Sequence, residues 1–462
     1  MQGRCKSVLK DEGYQSLYNQ IEKNHLLVRV TELVDFNFVD TLTEPYYSLN
    51  TGRGSLPPQQ YFKMMLVKHL YGIHSNRALV KEVRYNICYR WFCQFCPDDD
   101  IPHHASLSNI KKRFPASVYE SFFLSVLEQC KEHGLVESGS IMTDSTLIHA
   151  NASLDSMKPI EEDPNPTREV DKKKKKLSNA THRSTTDPDA TLAMKKHKAN
   201  TLKYKAHVSC DSDTRVITAI MITTGSTHDS QPYLEHIKYQ QDRAKIVIQE
   251  VIADKAYGSG GILESLEQQG IKTYIPLFNS RSGSAESEAE AFLHYTSPED
   301  YYICPNGAEF HPYPKKDQDR TLYRSKATDC KDCPLSNKCP VRIKGKGPAR
   351  VIYRSDYHSL YEKVQRQMET EEFREAKYER LWKIEGVMNE LKNHHDLNRA
   401  SYRGIENMKV QSYMAAIALN IKRIVFVFII KLPCVLIWKK YKQVLQQPDY
   451  FLAHDYKVRT IT

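Results

Sequence analysis

The feature that most constrains this chain is a change of texture at Gly134. Up to that residue the apolar positions recur with helical spacing; beyond it, short β-branched runs alternate with amphipathic stretches. SIMTDSTLIHA (140–150) reads as a strand, and YKAHVSCDSDTRVITAIMITT (204–224) as two strands joined at Asp211-Ser212-Asp213. IVIQEVIADKAYG (246–258) reads as another strand, closing on Asp254. Helices are expected from Gln231 to Ala244 and through Ile262, Leu263 and Leu266, with a further β-like run from Ile271 to Pro276. Strands alternating with helices imply an α/β domain with a mixed sheet.

The first part predicts a set of short helices. Pro57-Pro58 starts one whose stripe runs through Tyr61, Met64, Met65 and Lys68, widened by Leu66 and Leu70. Ser75 caps a second. Ser106 or Ser108 caps a basic helix carrying Lys111, Lys112 and Arg113, and a longer helix through Phe122, Phe123, Val126 and Leu127 stops at Gly134. Short helices with a basic one among them suit a helix-turn-helix-like DNA-binding unit, although many all-helical domains share the pattern. The expected division is a helical N-terminal domain over 1–135 and a first core segment over 136–278, holding a basic disordered insertion at 155–202. A cysteine-containing insertion at 279–350, a helical core segment at 351–425 and a tail at 426–462 follow.

Charge narrows the partner. The chain of 462 residues has a formal charge of +10, and residues 168–205 alone contribute a net +8. Lys172, Lys173, Lys174, Lys175 and Lys176 are consecutive, and five like charges cannot pack together. A polyanion such as DNA or RNA would neutralise them and release counterions; a solvated loop with no partner is the bland alternative. The first residues have no apolar h-region, and with eleven cysteines this implies a reducing, cytoplasmic setting. Fifteen mostly apolar residues between Arg423 and Lys439 are interrupted by Lys431 and Pro433. A membrane span needs about 20, so the segment reads as core and no membrane partner is expected.

Three acids stand out by position. Asp144 and Asp254 each close an apolar strand-like run, and strand ends in α/β sheets face the ligand crevice. Glu385 lies in KIEGVMNELK at the edge of a stripe formed by Ile384, Val387, Met388 and Leu391. Such a trio could hold two divalent ions about 3.5–4 Å apart for in-line phosphoryl transfer, and oxygen ligands suit Mg²⁺ or Mn²⁺. Acids at strand ends are also common without function.

The stretches TDSTLIHANAS, KYKAHVSCD, TGSTHDS, VIADKAYGS and IEGVMNELKNHHDLNRASYRG, in this order, resemble the DDE transposases of bacterial insertion sequences. GRGSLPPQQYFKMMLVKHLYGIHSNRALVKEVRYNICYRWF and IPHHASLSNIKKRF are similar to the InsH-type helical domain of that group. The resemblance runs from about residue 15 to 425. It implies an RNase H-like core with Asp144, Asp254 and Glu385 as a metal-binding catalytic triad. The family's Y-x-x-R-x-x-x-E-x-x-x-x-x-x-K signature falls on Tyr378, Glu385 and Lys392, with Leu381 at the arginine position and Arg380 or Lys383 able to supply the charge instead. Lys392 lies two turns beyond Glu385 on the same face, within reach of a phosphate.

Cys304, Cys330, Cys333 and Cys339 form C-x25-C-x2-C-x5-C in one insertion. Four thiolates suit structural Zn²⁺ and would staple a small insertion; an iron–sulfur cluster or unligated thiols are the alternatives. Cys93-x2-Cys96 sits in an aromatic run and reads as core. His149, His207 and His228 lie near strand ends, where a structural role is the commoner one. The expected protein is a transposase that binds double-stranded DNA at its element's terminal inverted repeats and at the target. It would act as a homodimer in the bacterial cytoplasm, at the nucleoid. A hydrolytic nuclease on the same core and a zinc-stabilised DNA-binding relic are the rivals.

Overall fold

Gly134, at φ +69, stands two residues beyond the last helix of the N-terminal part, a left-handed position that glycine adopts without strain. The computed structural model describes residues 1–445 except 4–10, 49, 53, 161–176, 194–199, 278–288, 290, 297–298, 318 and 344–346. The five-lysine run therefore lies outside the described residues.

The N-terminal part packs short helices around α1 (Pro58–Leu70). Sequence spacing suggested one apolar stripe on α1, but every residue of it except Gln59 is buried, Lys63, Lys68 and His69 included. Phe62 explains part of this: its ring meets Tyr61, Phe114, Tyr119 and Phe122, so aromatic neighbours close round the helix. Ser75 caps its helix as expected, its hydroxyl accepting from the Ala78 amide at 3.1 Å. The basic helix α2 (His104–Arg113) begins earlier than expected. His103 is its cap, with Nδ1 accepting from the Ala105 amide, and Ser106 and Ser108 lie inside the helix. Helix α3 (Ala116–Glu132) carries Phe122, Phe123, Val126 and Leu127 into the core.

The core sheet is built from β1 (Ser140–His149), β2 (Thr201–Asp211), β3 (Ile217–Thr224), β4 (Glu250–Ile252) and β5 (Lys272–Tyr274). Their spatial order is β3-β2-β1-β4-β5, with a short strand Thr191–Ala193 also paired to β2. Strand β2 is antiparallel to β1 and β3, whereas β1, β4 and β5 are parallel. Between β3 and β4 runs α4 (Tyr233–Asp242), and between β4 and β5 runs α5 (Gly260–Gln268). This is the RNase H-like arrangement, a mixed α/β fold preceded by helices.

Asp144 is not at the end of β1. The strand continues to His149 because Ser145–His149 pair with His207–Lys203 of β2. The parallel pairing with β4 stops at Met142, so Asp144 stands just past the parallel half of the sheet, beside the loop that carries Asp254.

After β5 comes the cysteine-containing insertion, a six-stranded antiparallel sheet whose last strand, Arg350–Ser355, runs past the boundary suggested at residue 350. It has its own apolar cluster, including Leu293, Tyr302, Phe310, Tyr323, Val341 and Ile352. The chain then enters α6 (Glu371–Asn393), capped by Thr370, and α7 (Ile405–Leu445). Helix α7 continues past the expected core boundary at 425. Its segment Ile405–Phe428 is long and apolar enough to cross a membrane, yet 78% of its most apolar window is buried in the protein, against α1, α3 and β3 among others. The described parts of the 155–202 insertion are folded: Met157–Pro159 pairs with His182–Ser184, and Asp187 and Asp189 accept the Gly404 and Ile405 amides at the start of α7.

A seam joins the N-terminal helices to the residues after α6. His69 and His395 exchange ring-to-carbonyl contacts at 3.1 and 2.8 Å, and Lys68 meets Asp396 at 3.6 Å. Alongside, the His149 amide donates to the Asn398 carbonyl and the Ala400 amide to the His149 carbonyl, fastening the end of β1 to the chain that follows α6.

Candidate active site

Asp144 is the centre of the site. The Ser145 amide donates to its Oδ1 at 2.7 Å, and the Arg380 guanidinium meets its Oδ2 at 2.9 Å. Burial pushes its carboxyl up to about 6, against the pull of Arg380 and the Ser145 amide; the charges of Asp254 and Asp229 push it further up. Three acids thus share one neighbourhood.

Asp254 follows β4 and caps the short 3-10 turn Lys255–Tyr257, its Oδ1 accepting from the Ala256 amide at 2.5 Å. Asp229 belongs to the THDS stretch between β3 and α4. Its Oδ1 accepts from Ser145 Oγ and from Lys205 Nζ, both at 2.8 Å. Burial alone would raise its carboxyl, but those two hydrogen bonds outweigh it and hold Asp229 below the usual carboxylate range. Sequence reasoning gave His228-Asp229 only a weak chance of supporting the site and did not select Ser145 or Lys205; the TGSTHDS and KYKAHVSCD stretches held the signal.

Glu385 is exposed on α6, away from the edge of the buried stripe where it was expected. The reason is rotational. Arg380, Lys383, Ile384, Val387, Met388 and Leu391 form the buried face. Glu385 lies five residues from Arg380, about 140° round the helix. Among the described residues no group of three or more His, Cys, Asp or Glu side chains is gathered tightly enough to hold an ion. The charges of Asp254 and Asp229 are felt at Asp144, and Glu385 is not among the groups that shift it. Leu381, at the family's arginine position, is 46% exposed, while Arg380 beside it reaches the carboxylate. Lys383 turns instead to Glu379 at 2.7 Å.

The remaining candidates divide by environment. Tyr378 is 70% exposed, and Lys392 is half-buried on the same helix. Lys112 and Arg113 are exposed, Arg113 lying 4.5 Å from the Tyr47 ring centroid. Lys111 is half-buried, turned onto Asn407 and the Tyr402 ring, and burial lowers its ammonium to about 8; it ties α2 to the start of α7. Lys172, Lys173, Lys174, Lys175 and Lys176 lie outside the described residues. His207 is buried on Thr223 Oγ1, and His228 is exposed on Ser230.

Cys304, Cys330, Cys333 and Cys339 belong to no ion-holding group among the described residues. Cys330 is buried with its thiol 3.2 Å from Ser325 Oγ, and Cys333 accepts from Asn306 Nδ2 at 3.6 Å. The Arg350 guanidinium bonds the carbonyls of Ser336, Cys339 and Val341, so side-chain hydrogen bonds and the apolar cluster order these turns. Cys93 is core, as expected.

Two domain families match the chain: the Transposase domain (DUF772) over residues 15–113 and the Transposase DDE domain over residues 303–425. The two matches lie on either side of the core sheet and support a DDE transposase of insertion-sequence type, an enzyme of DNA transposition. No curated protein matches it. Among solved structures, a piggyBac transposase synaptic complex with hairpin DNA is 10% identical over 97% of this chain and 85% of that one, at a TM-score of 0.30. A pre-cleavage Mos1 transpososome and a Mos1 mariner paired end complex with Mn are 9% and 12% identical, each over 59% of this chain and 60% of that one, at TM-scores of 0.16. Overlaps this loose carry no argument about the site.

Proposed function

We propose that this transposase binds the ends of its own mobile element, hydrolyses a phosphodiester there and joins the freed 3′-hydroxyl to target DNA. The observation that carries the reading is Asp144: a carboxylate beside the parallel half of an RNase H-like sheet, crowded by Asp254 and Asp229. Like charges held this close favour a bound cation, and an all-oxygen set suits Mg²⁺ or Mn²⁺. Asp144 and Asp254 would hold the metal, with Glu385 as third ligand once α6 turns or shifts. When bound, divalent ions would stabilise the attacking and leaving oxygens of phosphoryl transfer.

The chain's own residues supply the rest. Ser145 orients Asp144, and Lys205 fixes Asp229 behind it. Tyr378 and Lys392 lie on the helix of Glu385, where they would meet the DNA backbone. Lys112 and Arg113, together with the lysine run 172–176, would add phosphate contacts, which give affinity before base contacts give specificity. Handling two ends together calls for a homodimer, working on the bacterial nucleoid.

The test is cleavage of DNA carrying the element's own flanks, in Mg²⁺, by wild type and Asp254→Asn, with joined products scored beside nicked ones. Cuts at the flank boundaries and joined products, both lost in the variant, are expected. Cutting without joining would replace the reading with a nuclease, and binding without cutting would remove the catalytic assignment.

A further inference from the structure

The cation at Asp144 comes from the protein itself. Arg380 Nη2 lies 2.9 Å from Asp144 Oδ2, with only 10% and 24% of the two side chains exposed. Arg380 as a whole is 8% exposed, and its Nε is buried without an acceptor among the described residues. A guanidinium forks five donors and binds best when more than one is used. Arg380 is therefore held by Asp144 but not satisfied by it. The helix that delivers this arginine also turns Glu385 outward, since the two are about 140° apart on α6.

We infer that Arg380 is a built-in counter-ion that competes with the divalent metal for Asp144 Oδ2, so that metal loads only when an arriving DNA phosphate takes the arginine. This rests on the reading of Asp144 as a metal ligand. A buried arginine stripped of its carboxylate partner is costly, so its release needs another anion. A phosphodiester offers two acceptor oxygens in the geometry the fork prefers. The exchange is balanced in charge: the metal replaces the guanidinium on Asp144, and the phosphate replaces Asp144 on the guanidinium. By linkage, each ligand then raises the affinity for the other.

The test measures Mn²⁺ binding to the full chain by the loss of the free-ion magnetic resonance signal. Without DNA, Arg380→Gln should bind Mn²⁺ about tenfold tighter than wild type, within the range of ordinary coupling between sites. Lys383→Gln removes a charge three residues along the same helix and should leave the affinity unchanged. Adding a short duplex should tighten Mn²⁺ binding to wild type by a similar factor and to Arg380→Gln hardly at all. The duplex effect on wild type, taken beyond the Mn²⁺ that the same duplex binds without protein, needs no variant and stands even if Arg380→Gln does not fold. Equal or weaker binding by Arg380→Gln, an equal gain in Lys383→Gln, or no duplex effect on wild type would each overturn the inference. Asp144→Asn separates the two levels. If it abolishes Mn²⁺ binding while Arg380→Gln changes nothing, only the counter-ion role falls. If it leaves binding intact, the metal-ligand reading falls first.

Discussion

Two buried ion pairs in this molecule have opposite surroundings. At the seam, Lys68 meets Asp396, whose side chain also takes His74 Nδ1 at 2.7 Å and the Ser401 hydroxyl at 3.1 Å. Donors outnumber acceptors, and the one carboxylate is fully used. At the site, Arg380 meets Asp144 with Asp254 and Asp229 crowding the same neighbourhood and the guanidinium Nε left over. A closed set of partners makes a joint. An open set, with surplus negative charge and a spare donor, makes a place where ligands exchange.

The sharpest way to break that contrast is at the open set. Asp144→Asn and Asp254→Asn should each lower strand cleavage about 10³-fold or more, several kcal/mol of transition-state stabilisation, and Asp254→Asn, which leaves the Arg380 pair intact, should change the urea midpoint little. A large loss of stability would make the site a second joint. At the closed set the outcomes should swap. Lys68→Ala takes the buried ammonium from Asp396, which keeps His74 and Ser401, and should cost about 3 kcal/mol in urea unfolding.

Acid separates the regions further. Burial lowers the seam histidines His69 and His395 to about 3 and about 4, below the ordinary value of 6.5. The unfolded chain gains their protons first as pH falls, so the stability they contribute is full above pH 6.5 and drains as pH drops toward 4. Together they should cost about 3 kcal/mol or less per pH unit in that window, read from urea unfolding at several pH values. His69→Gln should flatten the slope, whereas Asp254→Asn should not.

Smaller effects are expected at the surfaces. Lys112→Gln should weaken DNA binding at all sequences and reduce the salt slope by about one unit. The same change at Lys111 should instead lower stability, because that side chain faces Asn407 and Tyr402. Cys333→Ser tests the zinc expectation: stoichiometric zinc in the wild type that the variant loses, by elemental analysis, would support it, whereas a zinc-free wild type and a melting temperature within about 2 °C would remove it.

Much of this fold is written in local pattern. The β-rich runs and the turn at Asp211 follow from residue type and spacing, as does the stop at Gly134. What escaped was set by neighbours far along the chain. Asp144 lies mid-strand because β2 keeps pairing past it. Helix α1 is buried all round because aromatic residues near position 120 close over it, and periodicity in 58–70 alone cannot show that. At the site, Asp144 and Asp254 could be chosen from strand endings. The signature placed the expected arginine at 381, yet the rotation of α6, fixed by the packing of Ile384, Val387 and Leu391, brings Arg380 inward and turns Glu385 out. The cysteine spacing suggested a metal staple because the insertion looked poor in apolar residues. Folded, it gathers enough of them from distant strands to form its own core.

The bridge between His149 and Asn398–Ala400 has a consequence for a chain still being made. The strand bearing Asp144 finishes early, but its partner segment and Arg380 follow more than 200 residues later. At roughly 5–20 residues per second, a ribosome takes roughly 12–50 s to cover that stretch. Throughout that interval the nascent protein holds its acidic strand without the helix that completes the site.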